Sequence, residues 1–208
     1  MIPRLCYWTD GPRGSGGRDP VEVIERLAVG GVELVVLRER GWSGAAWAAC
    51  AARLSKLRAG GLRVLAGRRL DVVRAFELDG VHLGAESVAV AEARAFLGSR
   101  AIIGYSAHEP AEARRAAEEG ASYIALSPIY ATASKPGLAP RGCAWLARAV
   151  SELPIPVLAL GGVTAGSVPE LRAAGAHGVV AISALGAAPD PEAAAREFRR
   201  ALADEGER

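Results

Sequence analysis

The residues best equipped for chemistry lie in three short stretches: the loop S127-P-I-Y-A-T-A-S-K135, the turn L160-G-G-V163 and the stop A181-I-S-A184. Each directly follows an apolar, β-branched run, so each is expected where a strand ends. The hydroxyls of Thr132, Ser134 and Ser183, the cation of Lys135 and the uncluttered amides around Gly161, Gly162 and Ile182 are the groups that hold a phosphate. Taken singly, the glycines serve any tight turn. Two such turns after the last two strands match the phosphate position of a common barrel.

The three histidines divide by their place relative to strand ends. His177 precedes a strand, in A176-H-G-V179, and is expected on the face away from the site. His82, in G80-V-H-L-G84, suits a packed, hydrogen-bonded role as well as a substrate contact. His108 closes G104-Y-S-A-H108 just ahead of a helix opened by Glu109 and Pro110, and its ordinary pKa near 6.5 suits proton transfer at neutral pH. Its blander role is a contact with backbone at the helix start. Arg38, Glu39 and Arg40 end the second strand, where charge is costly inside a barrel and useful at its mouth. Alternation with Val36 and Leu34 aims Arg38 inward, where a guanidinium grips a carboxylate or phosphate in two-pronged fashion. Glu39 reads as an exposed strand terminus.

Positioning these groups requires a repeating scaffold. Strands are predicted at about 4–8, 33–38, 62–66, 79–83, 101–105, 122–127, 155–160 and 178–182, with amphipathic, Ala- and Arg-rich helices between them. Segments such as 110–120 and 166–175 show helical spacing and stop at glycine. Strands apolar on both faces imply a parallel sheet covered by helices. Eight units in 208 residues predict an α/β fold, a (β/α)8 TIM barrel in one domain over 1–208. A doubly wound open sheet is the rival, weakened because no GxGxxG follows the first strand. The cluster G14-S-G-G17 lacks the Gly-Lys-Ser/Thr ending of a phosphate loop and is expected to be a flexible connection.

Composition excludes several function classes. Lys plus Arg number 25 against 23 acids, and no basic run is interleaved with aromatics, which argues against nucleic acid as a partner. The apolar runs are of strand length, short of the ~20 residues that span a bilayer, and the start MIPRLCYWTD lacks a signal-peptide core. A cytoplasmic location without membrane partners is expected. Cys6, Cys50 and Cys143 form no CxxC and leave one unpaired in any scheme, which favours reduced thiols. Cys143 follows Gly142 where a loop enters a helix, and no histidine lies near it in sequence, which argues against a reactive thiol there. Trp42 and Trp47 could cover either the core or a second copy, so a homo-oligomer stays open.

Together, L5-C-Y-W-T-D10, L37-R-E-R40, D79-G-V-H-L-G84, G104-Y-S-A-H108, the 127–135 loop, L160-G-G-V163 and Ile182-Ser183 resemble the thiamine phosphate synthase and TenI superfamily over essentially the whole chain. The resemblance implies the barrel, a role in thiamine biosynthesis and a small phosphorylated thiazole as ligand. By position it assigns the phosphate to Gly161, Gly162, Ile182 and Ser183, and places Thr132, Ser134 and Lys135 on a covering loop.

The departures set the expected activity. In the synthases an Asn-Asp pair follows the third strand where this chain has Gly67-Arg68, and a second magnesium-binding aspartate falls on Ser87 of A85-E-S87. A glutamine is replaced by Val36 and a lysine by Arg40. With both matched carboxylates gone, the expectation is the TenI branch: a thiazole tautomerase, an isomerase needing no metal or other cofactor. The resemblance then makes His108 the acid/base, with Ser106, Arg38 and Arg40 binding the substrate and Lys135 closing over its anion. Three alternatives remain: a thiamine phosphate synthase joining hydroxymethylpyrimidine diphosphate to thiazole phosphate and using Mg2+, a non-catalytic thiazole-phosphate regulator, and a phosphate-binding sugar isomerase.

Overall fold

The computed structural model describes residues 1–39, 41–134 and 137–203. Eight strands, β1 (Leu5–Trp8), β2 (Leu34–Leu37), β3 (Arg63–Gly67), β4 (Gly80–Leu83), β5 (Ile102–Ala107), β6 (Tyr123–Leu126), β7 (Val157–Leu160) and β8 (Gly178–Ala181), pair in parallel in chain order, and β8 returns to β1 to close the ring. The outer helices are α1 (Gly11–Ser15), α2 (Pro20–Val29), α3 (Gly44–Ala59), α4 (Leu70–Ala75), α5 (Val90–Leu97), α6 (Pro110–Glu118), α7 (Gly142–Glu152), α8 (Val168–Ala173), α9 (Ser183–Gly186) and α10 (Pro191–Leu202). This is the (β/α)8 barrel expected from the alternation of short apolar runs with amphipathic segments. Among the described residues no helix is long and apolar enough to cross a membrane.

The pleat explains why the strands are apolar on both faces. Successive residues point to opposite sides, so Cys6, Trp8, Leu34, Val36, Leu65, Tyr123, Ala125, Leu158, Leu160, Val180 and Ile182 fill the barrel interior. Their neighbours, among them Leu5, Tyr7, Val35, Leu37, Val64 and Val81, pack outward against the helices. Trp47 belongs to this outer core at 1% exposure, and Trp42 stacks edge-on against it at 5.2 Å. Both tryptophans therefore cover the core of their own chain.

Two expectations need correction. Seven strands begin one or two residues later than predicted and β5 runs on to Ala107, because turn residues such as Arg4, Glu33, Asp79 and Ser122 stand ahead of the paired segments. The 14–17 cluster is no loose connection: Gly14 and Ser15 are buried in α1, the Gly14 carbonyl accepts a hydrogen bond from Tyr7 Oη at 3.1 Å, and a Cβ on Gly186 would stand 2.0 Å from that same carbonyl oxygen. Glycines there permit the close approach of α1 and α9. At the opposite end of the barrel, Asp79 takes Arg58 Nε at 3.2 Å, Arg63 Nη1 at 3.1 Å and the Val64 amide at 2.9 Å, joining α3, β3 and the start of β4.

Candidate active site

A cavity of about 570 Å3 opens at the carboxyl ends of the strands, the end at which barrels of this kind carry their chemistry. Arg38, Ser106, His108, Thr132, Ser134, Gly161, Gly162, Ile182 and Ser183 all line it. Arg40 and Lys135 lie outside the described residues. Distances of more than a hundred residues along the chain are thus collapsed into one mouth by strand order alone.

The late-strand wall is built by backbone. Gly161 and Gly162 have φ of +100° and +65°, conformations that side chains resist, and a Cβ on Gly162 would lie 2.4 Å from the Ala131 carbonyl oxygen. That space is taken by the loop after β6, whose Ile129 and Tyr130 amides donate to the Leu160 and Gly161 carbonyls at 3.0 Å each. On its far shoulder the Arg141 and Gly142 amides donate back to Pro128 and Ile129, also at 3.0 Å. Thr132 and Ser134 are so carried to the cavity wall, beside the turn into α9.

The floor is a hydrogen-bonded stack. His82, 5% exposed, has Nδ1 at 2.8 Å from Tyr123 Oη and Nε2 at 2.9 Å from Ser106 Oγ. It is the packed, hydrogen-bonded residue of the first expectation, and it also lines the cavity. Gly104 makes this possible, since a Cβ there would fall 2.2 Å from Tyr123 Cζ and 2.4 Å from His82 Nδ1. Trp8 closes the other side, its ring 4.3 Å from that of His82. Burial holds the Tyr123 phenol well above its ordinary pKa, so it stays protonated. Neither Tyr123 nor Trp8 was singled out from sequence; the inward phase of Cys6-x-Trp8 and of Tyr123-x-Ala125 was the available signal.

His108 sits on the rim. Its Nδ1 lies 2.6 Å from the Ser127 carbonyl oxygen, and because a carbonyl only accepts, the neutral ring must carry its proton on Nδ1 and keep Nε2 as the acceptor. The His108 amide donates to Glu112 Oε2 at 2.9 Å, which fixes the residue at the start of α6. His177, as expected, is away from this face, with Nε2 2.7 Å from the Ile2 carbonyl oxygen. Cys143 does not line the cavity; its thiol lies 3.4 Å from Tyr130 Oη, and burial pushes its pKa up, away from a reactive thiolate.

Across the ring, the ends of β2 and β3 supply charge. Thr9 Oγ1 accepts the Arg38 amide at 2.8 Å, Asp10 lies 3.6 Å from the Arg38 guanidinium, and that group stands 5.7 Å from the Trp8 ring centre. Glu39, expected as an exposed terminus, instead lines the cavity, with Oε1 buried and lacking a hydrogen-bond partner among the described residues. Arg68 and Arg69, overlooked as ligand groups, line it too. Arg68 adopts φ +64°, a left-handed conformation costing about 1–2 kcal/mol for a side-chain residue.

The magnesium ion implied by the resemblance does not fit this donor set. Mg2+ favours hard oxygen ligands, above all carboxylates. At one position where the family carries aspartate stands the Arg68 guanidinium, 2.7 Å from Glu86 Oε2. At the other, Ser87 turns away: its Oγ accepts the Gly84 amide at 3.0 Å while its own amide donates to the Gly84 carbonyl at 2.8 Å. Among the described residues, no group of three or more His, Cys, Asp or Glu side chains could hold a metal.

Comparison with known proteins adds the lineage. The family model described as thiamine monophosphate synthase matches residues 7–185. A thiamine-phosphate synthase of Salinispora arenicola is 46% identical over 143 residues, covering 68% of this chain and 69% of that protein. One from Methanoculleus marisnigri is 39% identical over 189 residues, 90% of each. Among solved structures, thiamine phosphate pyrophosphorylase from Pyrococcus furiosus superposes with a TM-score of 0.86 at 27% identity, covering 96% of this chain and 95% of that one. These likenesses overturn the expected tautomerase: the similar proteins bear the name of a transferase. The absence of two carboxylates is too narrow a basis for reassigning the reaction.

Proposed function

The chain belongs to the thiamine monophosphate synthase family, and we propose that it is a thiamine-phosphate synthase, joining hydroxymethylpyrimidine diphosphate to a thiazole phosphate. The observation that supports this reading is that one cavity is lined both by the Gly161–Gly162 and Ile182–Ser183 turns and by Arg38, Arg68 and Arg69 after β2 and β3, groups suited to holding two anions. A single phosphorylated ring would need only the first. Two phosphorylated substrates need both.

In this reaction the bond from a methylene carbon to the diphosphate oxygen breaks, a bond from that carbon to the thiazole nitrogen forms, and pyrophosphate leaves. The glycine turn with Ser183 would hold the thiazole phosphate, with Thr132, Ser134 and Lys135 covering it and restricting water. Arg38 and Arg40 would hold the diphosphate and stabilise the charge that grows on it as it departs. Ser106, kept in one orientation by His82 and Tyr123, and His108 would orient the ring between them. The three thiols, free in the structure, support a reducing, cytoplasmic setting.

Purified protein given both substrates should release thiamine phosphate and pyrophosphate in equal amounts. If thiazole phosphate binds but no coupled product forms, with or without added Mg2+, the synthase reading fails in favour of a binding regulator.

A further inference from the structure

We propose that the Arg68 guanidinium takes the place of a divalent cation in this cavity, so that the site binds a diphosphate as the metal-free anion. The proposal rests on the synthase reading and names how that site handles charge. Arg68 follows Gly67 at the end of β3, and its backbone turns into the left-handed region at φ +64° while its amide donates to the His82 carbonyl at 2.9 Å. This turn lays the side chain over the end of β4: Nη2 would be 3.9 Å from a Cβ on Gly84, and that same Cβ position is 3.9 Å from Ser106 Cβ. The guanidinium is therefore delivered to the wall of the cavity close to Ser106.

Its carboxylate neighbour does not lock it there. The Glu86 side chain is 78% exposed and that of Arg68 40%, so the pair is screened by water and readily exchanged. A diphosphate offers the planar fork a better partner, with several charged oxygens matched to parallel N–H groups. The described charged residues lining the cavity are Arg38, Arg68 and Arg69 against Glu39 and Glu86. A cation placed between Arg68 and the Ser87 turn would meet a fixed positive charge on one side and, on the other, a hydroxyl already bonded within its own turn. The strained backbone of Arg68 fits the same picture, since such conformations persist where function needs a side chain held in place.

The test is titration calorimetry of inorganic pyrophosphate into the full-length protein after EDTA treatment, alongside the coupling assay. Wild type should bind in EDTA, and added Mg2+ should weaken the apparent affinity rather than strengthen it, because Mg2+ ties up the free pyrophosphate anion. Arg68→Gly, which relieves the positive φ and so keeps the fold, should bind at least ~10-fold more weakly, as expected for loss of a charge-assisted contact. Arg68→Lys should recover part of the loss. The pair Arg68→Asp with Ser87→Asp should make binding depend on Mg2+. Pyrophosphate binding by wild type only when Mg2+ is present, or unaltered binding by Arg68→Gly in EDTA, overturns the proposal. Product formation that requires Mg2+ would leave the synthase reading intact while this inference falls; pyrophosphate binding in EDTA without any coupled product would do the reverse.

Discussion

The His82 ring shows how much can hang on single atoms at the floor of the mouth. Its two nitrogens are both engaged, and the hydroxyls of Tyr123 and Ser106 can each donate or accept, so either neutral tautomer satisfies the chain of bonds. Removing one end does not. Tyr123→Phe leaves a buried ring nitrogen without its partner and should cost about 1–3 kcal/mol in urea unfolding, with coupling activity falling as Ser106 loses its fixed orientation. Unchanged stability in that variant would mean that water replaces the phenol at no cost. Of these residues, His82 was legible as a candidate from its place near a strand end, and Ser106 through the family resemblance. Tyr123 was not, since its sequence neighbourhood reads only as a buried strand and its role depends on the gap left by Gly104 on the adjacent strand.

Helix starts and strand-end turns carry the next layer of control. Asp19 caps α2 by accepting the Val21 amide at 2.7 Å, and it pairs with Arg53 of α3 at 2.7 Å. The Arg53 hydrogen bond, foremost, holds its carboxyl below the ordinary value. A carboxyl whose folded pKa lies below its unfolded one stabilises above about pH 4, and that contribution disappears as pH falls through the folded value. Asp19→Ala should therefore cost about 1 kcal/mol at pH 7, and the gap from wild type should narrow in unfolding curves taken near pH 3. A gap that stayed constant with pH would show that the charge is not involved. The Gly161–Gly162 turn is a second such element. Gly162→Ala adds a methyl against backbone at a positive φ and should cost about 1–3 kcal/mol while weakening phosphate binding; phosphate affinity equal to wild type would remove the turn from the site.

Closure of the ring determines what the chain as a whole exposes. Cys6 lies inside the barrel, and burial raises its thiol pKa far above the ordinary range; Cys50, on the buried face of α3, is pushed up to about 12, chiefly by the same cause. With Cys143 also raised, a thiol reagent at pH 8 should react slowly with the native protein and promptly with three equivalents once it is unfolded. Rapid native labelling would mean the barrel opens far more readily than its packed interior implies. The strand count, the barrel and the inward aim of Arg38 were all readable from periodicity. Glu39 and Arg69 were not, because a charge at a strand end reads as solvated until its neighbours are known.

By itself the sequence determined the eightfold alternation, the order of the strands and the glycine and hydroxyl residues gathered after them, since hydrophobic period and turn chemistry are local properties written residue by residue. Only the tertiary structure decided that Arg68 bends over β4 and that Ser87 turns away from it. Those outcomes depend on contacts between segments far apart in the chain, where a side chain's direction is chosen by the space its neighbours leave.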